Sequence, residues 1–320
     1  MRAIVCTEYG PPEVLQLAQV DKPTPKDGEV LIRIVATTAH VGDVRIRTFD
    51  VPRGQRLVAR LVLGIRRPKH PILGMELAGE IEAVGTGVTR FSPGDEVFAF
   101  TGWHFGGYAE YICLREWPRK SGEKDGLVAL KPSTMTFHEA AAGLATGAVV
   151  ALKVLRAANI RPGQDVLVYG ASGSVGTYAV QLAKEFGANV TGVASTANLE
   201  LVGSLGADTV IDYTTDDGTA AGQSYDVIFD AVDKLPPAQT RWVRKPTGVH
   251  LNIVKDSDSG PGATPEDLDY LGKLVEEGKL TAVIDRTYPL EQIVEAHRYV
   301  EKGHKRGHVV ISVAPGDAGT

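Results

Sequence analysis

Cysteine, excess charge of one sign and long apolar runs are all scarce in this chain of 320 residues. Cys6 and Cys113 are far apart and match neither a disulfide framework nor the spacing of a zinc site. No stretch approaches the ~20 apolar residues that a membrane-spanning helix needs, and the N-terminus becomes charged too soon for a signal peptide. With a net charge of −5 and interspersed acids and bases, the chain has no basic footprint for nucleic acid. We therefore expect a soluble, cytoplasmic protein whose partners include neither nucleic acid nor a membrane.

Residues 165–176, DVLVYGASGSVG, combine a strand, a glycine turn and the start of a helix. The apolar and aromatic residues 166–169 predict a buried parallel strand, and residues 177–186 have the apolar spacing of a helix. Between them stand Gly170, Gly173 and Gly176, in a turn that would direct main-chain N–H groups and the positive end of the helix dipole at one point. The spacing G-x-x-G-x-x-G is a weak motif alone and fits a turn without a ligand. Its strand–turn–helix context favours dinucleotide binding.

The two parts of the chain differ in their pattern. Residues 1–125 contain many short strands at close spacing, which is typical of a barrel-like β domain. From residue 126 onward strands alternate with helices, the longest of them over 136–158, and this predicts an α/β fold with a parallel, doubly wound sheet. A last strand at 307–313 is expected to return to the β domain. The predicted domains are therefore 1–125 with 285–320, and 126–284.

Basic and apolar residues recur near helical spacing between residues 50 and 70. The basic ones are Arg53, Arg56, Arg60, Arg66, Arg67 and Lys69. The pattern predicts a surface helix over the β domain. The alternative is a basic lid near an anionic group of a substrate or cofactor.

Seven blocks of the sequence resemble medium-chain dehydrogenases/reductases of the zinc-independent, quinone oxidoreductase-like type. In family order they are 74–85, 93–97, 106–111, 140–147, 169–176, 206–213 and 307–311, and they span nearly the whole chain. The resemblance implies a GroES-like β-barrel domain joined to a Rossmann domain, with the active site in the cleft between them. It also implies a homodimer, for which a predicted edge strand at 249–254 is the candidate contact.

The resemblance bears on metal binding and so on the reaction. The positions of the catalytic zinc ligands in zinc-containing relatives correspond here to His40, Met75 and Ala141, with Glu76 beside them. Since zinc needs about three protein ligands and an open position, we predict no metal. Without a Lewis acid, alkoxide formation loses its usual stabilisation, so hydride transfer to a quinone or an α,β-unsaturated carbonyl is the better-suited reaction. Two alternatives stay open: an alcohol dehydrogenase that uses His40 as a metal ligand, and a non-catalytic NADPH-binding sensor or structural protein.

The predicted cofactor is NADPH rather than NADH. An NAD-preferring Rossmann site usually places Asp or Glu ~20 residues after the glycines, where this chain has Ser195, Thr196 and Asn198. Nothing in that segment would repel a 2′-phosphate, although the lysine that the family often supplies there is absent. The further cofactor contacts implied by the resemblance are Thr146, Ser172, Gly173, Ser174, Val175, Tyr213, Ala231, Val232, Ile253 and Val254.

His40 and Asp43 are the catalytic candidates, because they match substrate-cleft positions of the family. With an ordinary pKa near neutrality, His40 can donate a hydrogen bond or a proton to the developing enolate oxygen. Asp43 is expected to order the loop rather than act as a base, and Arg47 is a further cleft candidate. Residues 44–49 lack the tyrosine that many relatives use, which leaves solvent as a proton source. His308 stands where the family often has a basic residue.

Overall fold

The structure, a computed structural model, describes residues 1–51, 54, 56–119, 122–215, 222–257 and 262–314. The chain divides into two compact units. Unit 1 comprises Met1–Thr146, Thr264–Lys273 and Ile284–Thr320, and unit 2 comprises Gly147–Ala263 and Leu274–Val283. The first unit is therefore discontinuous. The predicted boundary at 125/126 falls before a strand and a short helix that belong to unit 1.

The elements of the described residues are as follows. The strands are β1 (Arg2–Cys6), β2 (Leu15–Gln19), β3 (Glu29–Thr38), β4 (Glu76–Val84), β5 (Glu96–Phe100), β6 (Tyr111–Arg115), β7 (Leu127–Leu130), β8 (Asp165–Tyr169), β9 (Asn189–Ala194), β10 (Thr209–Asp212), β11 (Tyr225–Asp230), β12 (Arg244–Asn252), β13 (Ile284–Pro289) and β14 (His308–Ser312). The helices are α1 (Val41–Thr48), α2 (Arg56–Leu63), α3 (Phe137–Ala141), α4 (Gly147–Ala157), α5 (Ser174–Glu185), α6 (Leu199–Ser204), α7 (Pro237–Val243), α8 (Ile253–Asp256), α9 (Pro265–Glu276) and α10 (Ile293–Glu301). None of these helices, within the described part of the chain, is long and apolar enough to cross a membrane.

Unit 1 is built on a sheet of seven strands in the order β13-β14-β3-β4-β5-β7, with β6 paired to β3 as well. Both β6 and β14 can pair with the long strand β3, because β6 pairs with its first half and β14 with its second half. The antiparallel β14–β3 pairing confirms that the last strand returns to the β domain. The pairing among the described strands leaves β13 and β7 as edges, so the predicted β-barrel is not closed. β7 pairs with β5, which is why residues after 125 still belong to this unit.

Unit 2 contains a sheet of five parallel strands in the order β10-β9-β8-β11-β12. Its central strand β8 has Val166, Leu167 and Val168 fully buried, as expected of a parallel strand covered on both faces. The order runs outward from β8 in both directions, so the predicted doubly wound sheet is confirmed. All these strands end at the same edge of the sheet, where the loops that carry most of the predicted cofactor contacts begin.

The predicted helix over 136–158 is interrupted. α3 ends at Ala141 and α4 begins at Gly147. Between them Gly143 has a φ of +80°, and a Cβ on it would lie 2.0 Å from His308 Nε2. The close approach of the buried His308 ring thus requires a glycine turn, and Thr146 lies in that turn rather than inside a helix.

The predicted strand over 249–254 ends two residues early. The Asn252 side chain accepts hydrogen bonds from the main-chain N–H groups of Val254 and Lys255, at 2.8 and 3.3 Å, and so caps α8. Ile253 and Val254 therefore belong to α8, while β12 is an edge strand of the sheet as predicted.

Candidate functional site

The turn after β8 requires glycine for steric reasons. Gly170 has a φ of +81°, and a Cβ on it would lie 2.6 Å from Val232 Cγ1. A Cβ on Gly176 would lie 2.1 Å from the Gly170 carbonyl oxygen. α5 begins at Ser174, and its N-cap residue Gly173 has no side chain that could cap it. The residues that open α5 therefore fit the diphosphate of a dinucleotide, which main-chain N–H groups bind at helix starts of this kind.

The order of the parallel sheet reverses between β8 and β11, and the loops after these two strands meet there. Ala231 and Val232 follow β11, and the Val232 side chain packs against Gly170. The buried carboxylate of Asp230 accepts hydrogen bonds from the N–H groups of Val232 and Leu235, at 3.1 and 2.9 Å. Open α/β sheets bind their ligands at such a reversal, so the predicted contacts at 231 and 232 lie where a nucleotide is expected.

Asn252 joins the loop after β12 to the loop after β11. Its side-chain amide donates to Asp233 at 2.6 Å and to Asp230 at 3.4 Å, while its oxygen caps α8. Asp230 and Asn252 are also in register at the ends of their strands. The pair thus connects the loops that carry the predicted contacts Ala231, Val232, Ile253 and Val254. The sequence interpretation missed both residues, although each is a polar residue directly after an apolar strand segment.

The residues predicted for the 2′-phosphate lie after β9. Asn198 donates from its side chain to the Ser195 hydroxyl at 3.0 Å, and the Thr196 hydroxyl donates to Asp212 at 2.5 Å. Asp212 ends β10, in register with Ala194 of β9. Tyr213 follows it with 46% of its surface exposed. The side chains predicted from two distant segments therefore lie at neighbouring strand ends.

Asp212 changes the electrostatic interpretation of this edge. Hydrogen bonds from the Thr196 and Thr214 hydroxyls lower the pKa of its carboxyl group, which is therefore ionised at neutral pH. Its side-chain partners among the described residues are these hydroxyls and the N–H of Thr214, with no basic group. The expectation that nothing here repels a 2′-phosphate considered β9 alone. Since sheet pairing brings the end of β10 beside Thr196, a carboxylate does face this position.

In unit 1, His40 is the N-cap residue of α1. Its Nδ1 accepts a hydrogen bond from the Gly42 N–H at 2.9 Å, so the proton of the neutral ring is on Nε2. Burial lowers the pKa of His40 to about 4, and the charges of Lys305 and Arg45 contribute. His40 is therefore neutral at pH 7, whereas the sequence interpretation used an ordinary pKa. As a neutral ring it can donate a hydrogen bond from Nε2, but it is not charged to act as an acid.

Asp43 is buried and serves the loop around it. One carboxylate oxygen accepts from the Gly74 N–H at 2.9 Å, and the other accepts from the Tyr108 hydroxyl at 3.1 Å and the His40 N–H at 3.3 Å. Burial raises the pKa of Asp43 to about 7 against the opposing effect of these hydrogen bonds. Both oxygens are engaged by the protein, which supports the predicted ordering role over a role as a base.

A buried polar chain continues from Asp43. The Tyr108 hydroxyl lies 3.0 Å from His297 Nε2, and burial lowers the pKa of His297 to about 3. Tyr108 is fully buried. Arg47 is also fully buried, donates to the Gly10 carbonyl at 3.1 Å and pairs with Glu301. Its candidacy as a cleft residue is not supported, because its guanidinium faces the protein interior.

Glu76 is held by two threonines. Its carboxylate oxygens accept from the hydroxyls of Thr38 at 2.6 Å and Thr146 at 2.7 Å. Burial raises the pKa of Glu76 to about 7, and the charge of Lys305 opposes this rise. Burial in turn lowers the pKa of Lys305 to about 8. The sequence interpretation missed Lys305 because it considered position 308, whose histidine packs against Gly143 instead.

Metal ligands are sparse near His40. In the described part of the chain, no group of three or more His, Cys, Asp or Glu side chains is placed to hold a metal ion. A Cβ on Gly42 would lie 2.5 Å from Met75 Sδ and 3.0 Å from His40 Nδ1, so these two atoms flank the same glycine. The predicted absence of a metal stays a prediction.

Comparison with known proteins bears on the whole chain. Residues 26–118 match the family described as "Alcohol dehydrogenase GroES-like domain", and residues 174–239 and 236–311 match the family described as "Zinc-binding dehydrogenase". Over 98% of its length, the chain is 33% identical to 2-methylene-furan-3-one reductase of Solanum lycopersicum, of which it covers 80%. It is 32% identical, with the same coverage, to the chloroplastic NADPH-dependent alkenal/one oxidoreductase of Arabidopsis thaliana. The chain is a medium-chain dehydrogenase/reductase.

A solved structure agrees with this assignment. The quinone oxidoreductase from Coxiella burnetii matches this medium-chain dehydrogenase/reductase with a TM-score of 0.82 and 28% identity, over 98% of this chain and 99% of that one. The family resemblance, the GroES-like and Rossmann folds and the class of oxidoreductases are thereby confirmed. The Arabidopsis relative is chloroplastic, so the cytoplasmic location stays a prediction. The homodimer is not tested by these matches and also stays a prediction.

The roles of the individual predicted residues are not tested by these matches. The structure groups them into two sets, described unit by unit. His40, Asp43 and Thr146 lie in unit 1, each within one or two hydrogen bonds of a buried carboxyl group. The remaining predicted contacts follow the strand ends of unit 2 or open α5: Ser172, Gly173, Ser174, Val175, Ser195, Thr196, Asn198, Tyr213, Ala231, Val232, Ile253 and Val254.

Proposed function

We propose that this protein reduces a quinone or the C=C bond of an α,β-unsaturated carbonyl by hydride transfer from NADPH. The observation that carries the proposal is the turn at 170–176, where a Cβ on Gly176 would lie 2.1 Å from the Gly170 carbonyl and no side chain caps α5. That steric requirement for glycine suits a main-chain diphosphate site. The names of the relatives, which are reductases and oxidoreductases of enones and quinones, support the substrate class.

When bound, the nicotinamide supplies a hydride to the electrophilic carbon of the substrate. Negative charge then develops on the carbonyl oxygen, and the Nε2–H of His40 is the donor we assign to it. The Gly42 N–H donates to Nδ1 and so holds the His40 ring in this tautomer. The Asp43 carboxylate accepts from the main-chain N–H of His40 and so fixes the position of that residue. The proton that completes the reduction comes from solvent, since His40 is neutral and residues 44–49 hold no tyrosine.

NADPH is the preferred nucleotide in this proposal, with limited discrimination against NADH. Ser195, Thr196 and Asn198 place hydroxyl and amide groups where a 2′-phosphate would lie, while Asp212 opposes it by its charge and by accepting the Thr196 proton. Thr146 is proposed to accept a hydrogen bond from the nicotinamide end, since its own proton is directed at Glu76. We further propose a homodimer through the edge strand β12, and a cytoplasmic location.

The test is turnover of NADPH, followed at 340 nm, with a panel of enones and quinones. We expect oxidation of NADPH with at least one substrate of either class. His40→Ala should lower kcat by ~10–1,000-fold, as expected for loss of one donor to a developing oxyanion. His40→Asn is the matched control, because asparagine can still cap α1 and donate a hydrogen bond. No turnover on any member of the panel, by protein that binds NADPH, would refute the proposed reaction.

A further inference from the structure

The apolar side of α2 faces outward. Leu57, Val58, Leu61 and Val62 have 76, 64, 73 and 58% of their surfaces exposed. Their spacing of one and four residues puts them on one face, which we call the outer face of α2. The opposite side carries Ala59 and Leu63, which are partly buried, and the exposed Arg56 and Arg60. A helix that only covered the β domain would have the reverse arrangement, with its large apolar residues inward.

The segment that carries the outer face of α2 is positively charged, and Arg66, Arg67 and Lys69 line one cavity together with Leu61. The described basic residues of this segment are Arg56, Arg60, Arg66, Arg67 and Lys69, and the sequence has no acidic residue between 51 and 75. Arg53 lies outside the described residues. Arg60 stacks over the Phe49 ring at 4.8 Å, which anchors the helix to unit 1. Unlike the chain as a whole, with its net charge of −5, this segment is therefore strongly cationic.

Two further large apolar side chains extend the patch. Ile65, the second residue after α2, is 64% exposed, and Trp103 is 53% exposed. Trp103 and Val62 line the same cavity of about 170 Å³, together with Lys69. The indole side chain of a tryptophan is largely apolar but carries one N–H donor, and it therefore suits the boundary between lipid and water.

We propose that the outer face of α2 binds the surface of an anionic lipid bilayer. A helix with a broad apolar face and basic residues beside it lies in the interface of such a membrane, its aliphatic side chains among the acyl chains and its cations at the headgroups. A second copy of this chain is a poorer occupant, because a twofold contact would bring identical cationic segments together. Nucleic acid would leave the aliphatic face unburied. The expectation that the chain has no membrane partner rested on the lack of a membrane-spanning segment. Binding to the surface of a bilayer needs no such segment.

The experiment is cosedimentation with vesicles of phosphatidylcholine alone and with 30% phosphatidylglycerol. We expect binding to the anionic vesicles that weakens with salt. Leu57→Ser/Leu61→Ser should weaken it at least ~10-fold. Arg66→Gln/Arg67→Gln should weaken it about 30-fold, since each cation near such a surface contributes about fivefold. The matched control is Leu17→Ser/Leu130→Ser, which replaces two other exposed leucines of unit 1 (49 and 56% exposed) and should not change binding.

A spectroscopic readout tests the location of the contact. The chain has three tryptophans. In a Trp117→Phe/Trp242→Phe variant only Trp103 emits, and its emission should shift to the blue with anionic vesicles. No binding to anionic vesicles, or equal binding by the leucine variant and the wild type, would overturn the proposal. So would lipid-free self-association that the leucine variant abolishes, which would assign the face to a second copy. None of these measurements requires turnover, so their failure is distinguishable from failure of the proposed reaction.

Discussion

Asp212→Asn should make the protein more selective for NADPH over NADH. The carboxylate of Asp212 lies 2.5 Å from the Thr196 hydroxyl, which is one of the groups offered to a 2′-phosphate. Asparagine removes the charge and can keep its oxygen toward Thr196. Its amide nitrogen then replaces Oδ1, so the Thr214 hydroxyl must accept instead of donate and the Thr214 N–H loses its acceptor. At Thr196, the side nearest the phosphate, the change is therefore mainly electrostatic.

The expected magnitude follows from Coulomb's law. A 2′-phosphate one hydrogen-bond length from the Thr196 oxygen, whose proton Asp212 already accepts, would lie about 6 Å from the Asp212 carboxylate. In water, the repulsion between a dianion and a carboxylate at that distance weakens binding about tenfold. Physiological salt, with a Debye length of about 8 Å, reduces this repulsion energy roughly by half. Removing the charge should therefore raise the ratio of the two affinities about threefold.

The assay is titration of both reduced nucleotides by fluorescence, to obtain the ratio of the Kd of NADH to that of NADPH. This ratio should rise about threefold at 0.15 M salt, and the gain should largely vanish near 1 M salt, where the Debye length is about 3 Å. Asp226→Asn is the control, because Asp226 lies near the opposite, amino-terminal end of the same sheet and pairs with Lys245. An unchanged or lower ratio in Asp212→Asn would refute the reasoning.

Three further predictions follow from other residues. Gly176→Ala should abolish tight nucleotide binding and destabilise the fold by ~1–3 kcal/mol in urea unfolding, because its Cβ would clash with the Gly170 carbonyl; the control Gly203→Ala, whose nearest atom is 3.9 Å from the new Cβ, should do neither. With its pKa near 4, His40 should cause no inflection in kcat between pH 6 and 9, and an inflection near 6.5 that His40→Asn removes would contradict this. Burial raises the pKa of Asp43 from 3.8 to about 7, so the folded state binds this proton more tightly and loses up to about 4 kcal/mol of stability as pH rises across that window. Asp43→Asn should lose less stability than the wild type between pH 5 and 8, and an equal loss would argue against the shift.

The sequence was sufficient for features that depend on local pattern. The apolar run before Gly170, the glycine spacing and the alternation of strands and helices predict unit 2 correctly, because a buried parallel strand and a glycine turn each leave a local signature. The sequence does not predict that His40 is the N-cap residue of α1, nor that the pKa of its imidazole is lowered. That pKa depends on burial, which no residue spacing reveals.

Features created by contacts between distant segments could not be predicted. Asp212 faces Thr196 only because β10 pairs with β9 in a particular register. The helix expected over 136–158 is interrupted because His308, more than 160 residues later in the chain, packs against Gly143. The electrostatic effect of Lys305 on Glu76 could be recognised only from the structure, in which Glu76 is buried. In each case at least one residue of the contact stands in no recognisable sequence motif, so the contact could not be predicted.

The pairing of β14 with the second half of β3 has a consequence for synthesis of the chain. On the side away from β4, residues 36–38 of β3 pair with 310–312, so this edge of the sheet stays open until residue 312 has been synthesised. Unpaired strand edges are templates for unwanted pairing between chains. A nascent chain that ends before residue 308 would thus carry the complete parallel sheet of unit 2 and an incomplete sheet in unit 1, whose open edge a chaperone would have to protect.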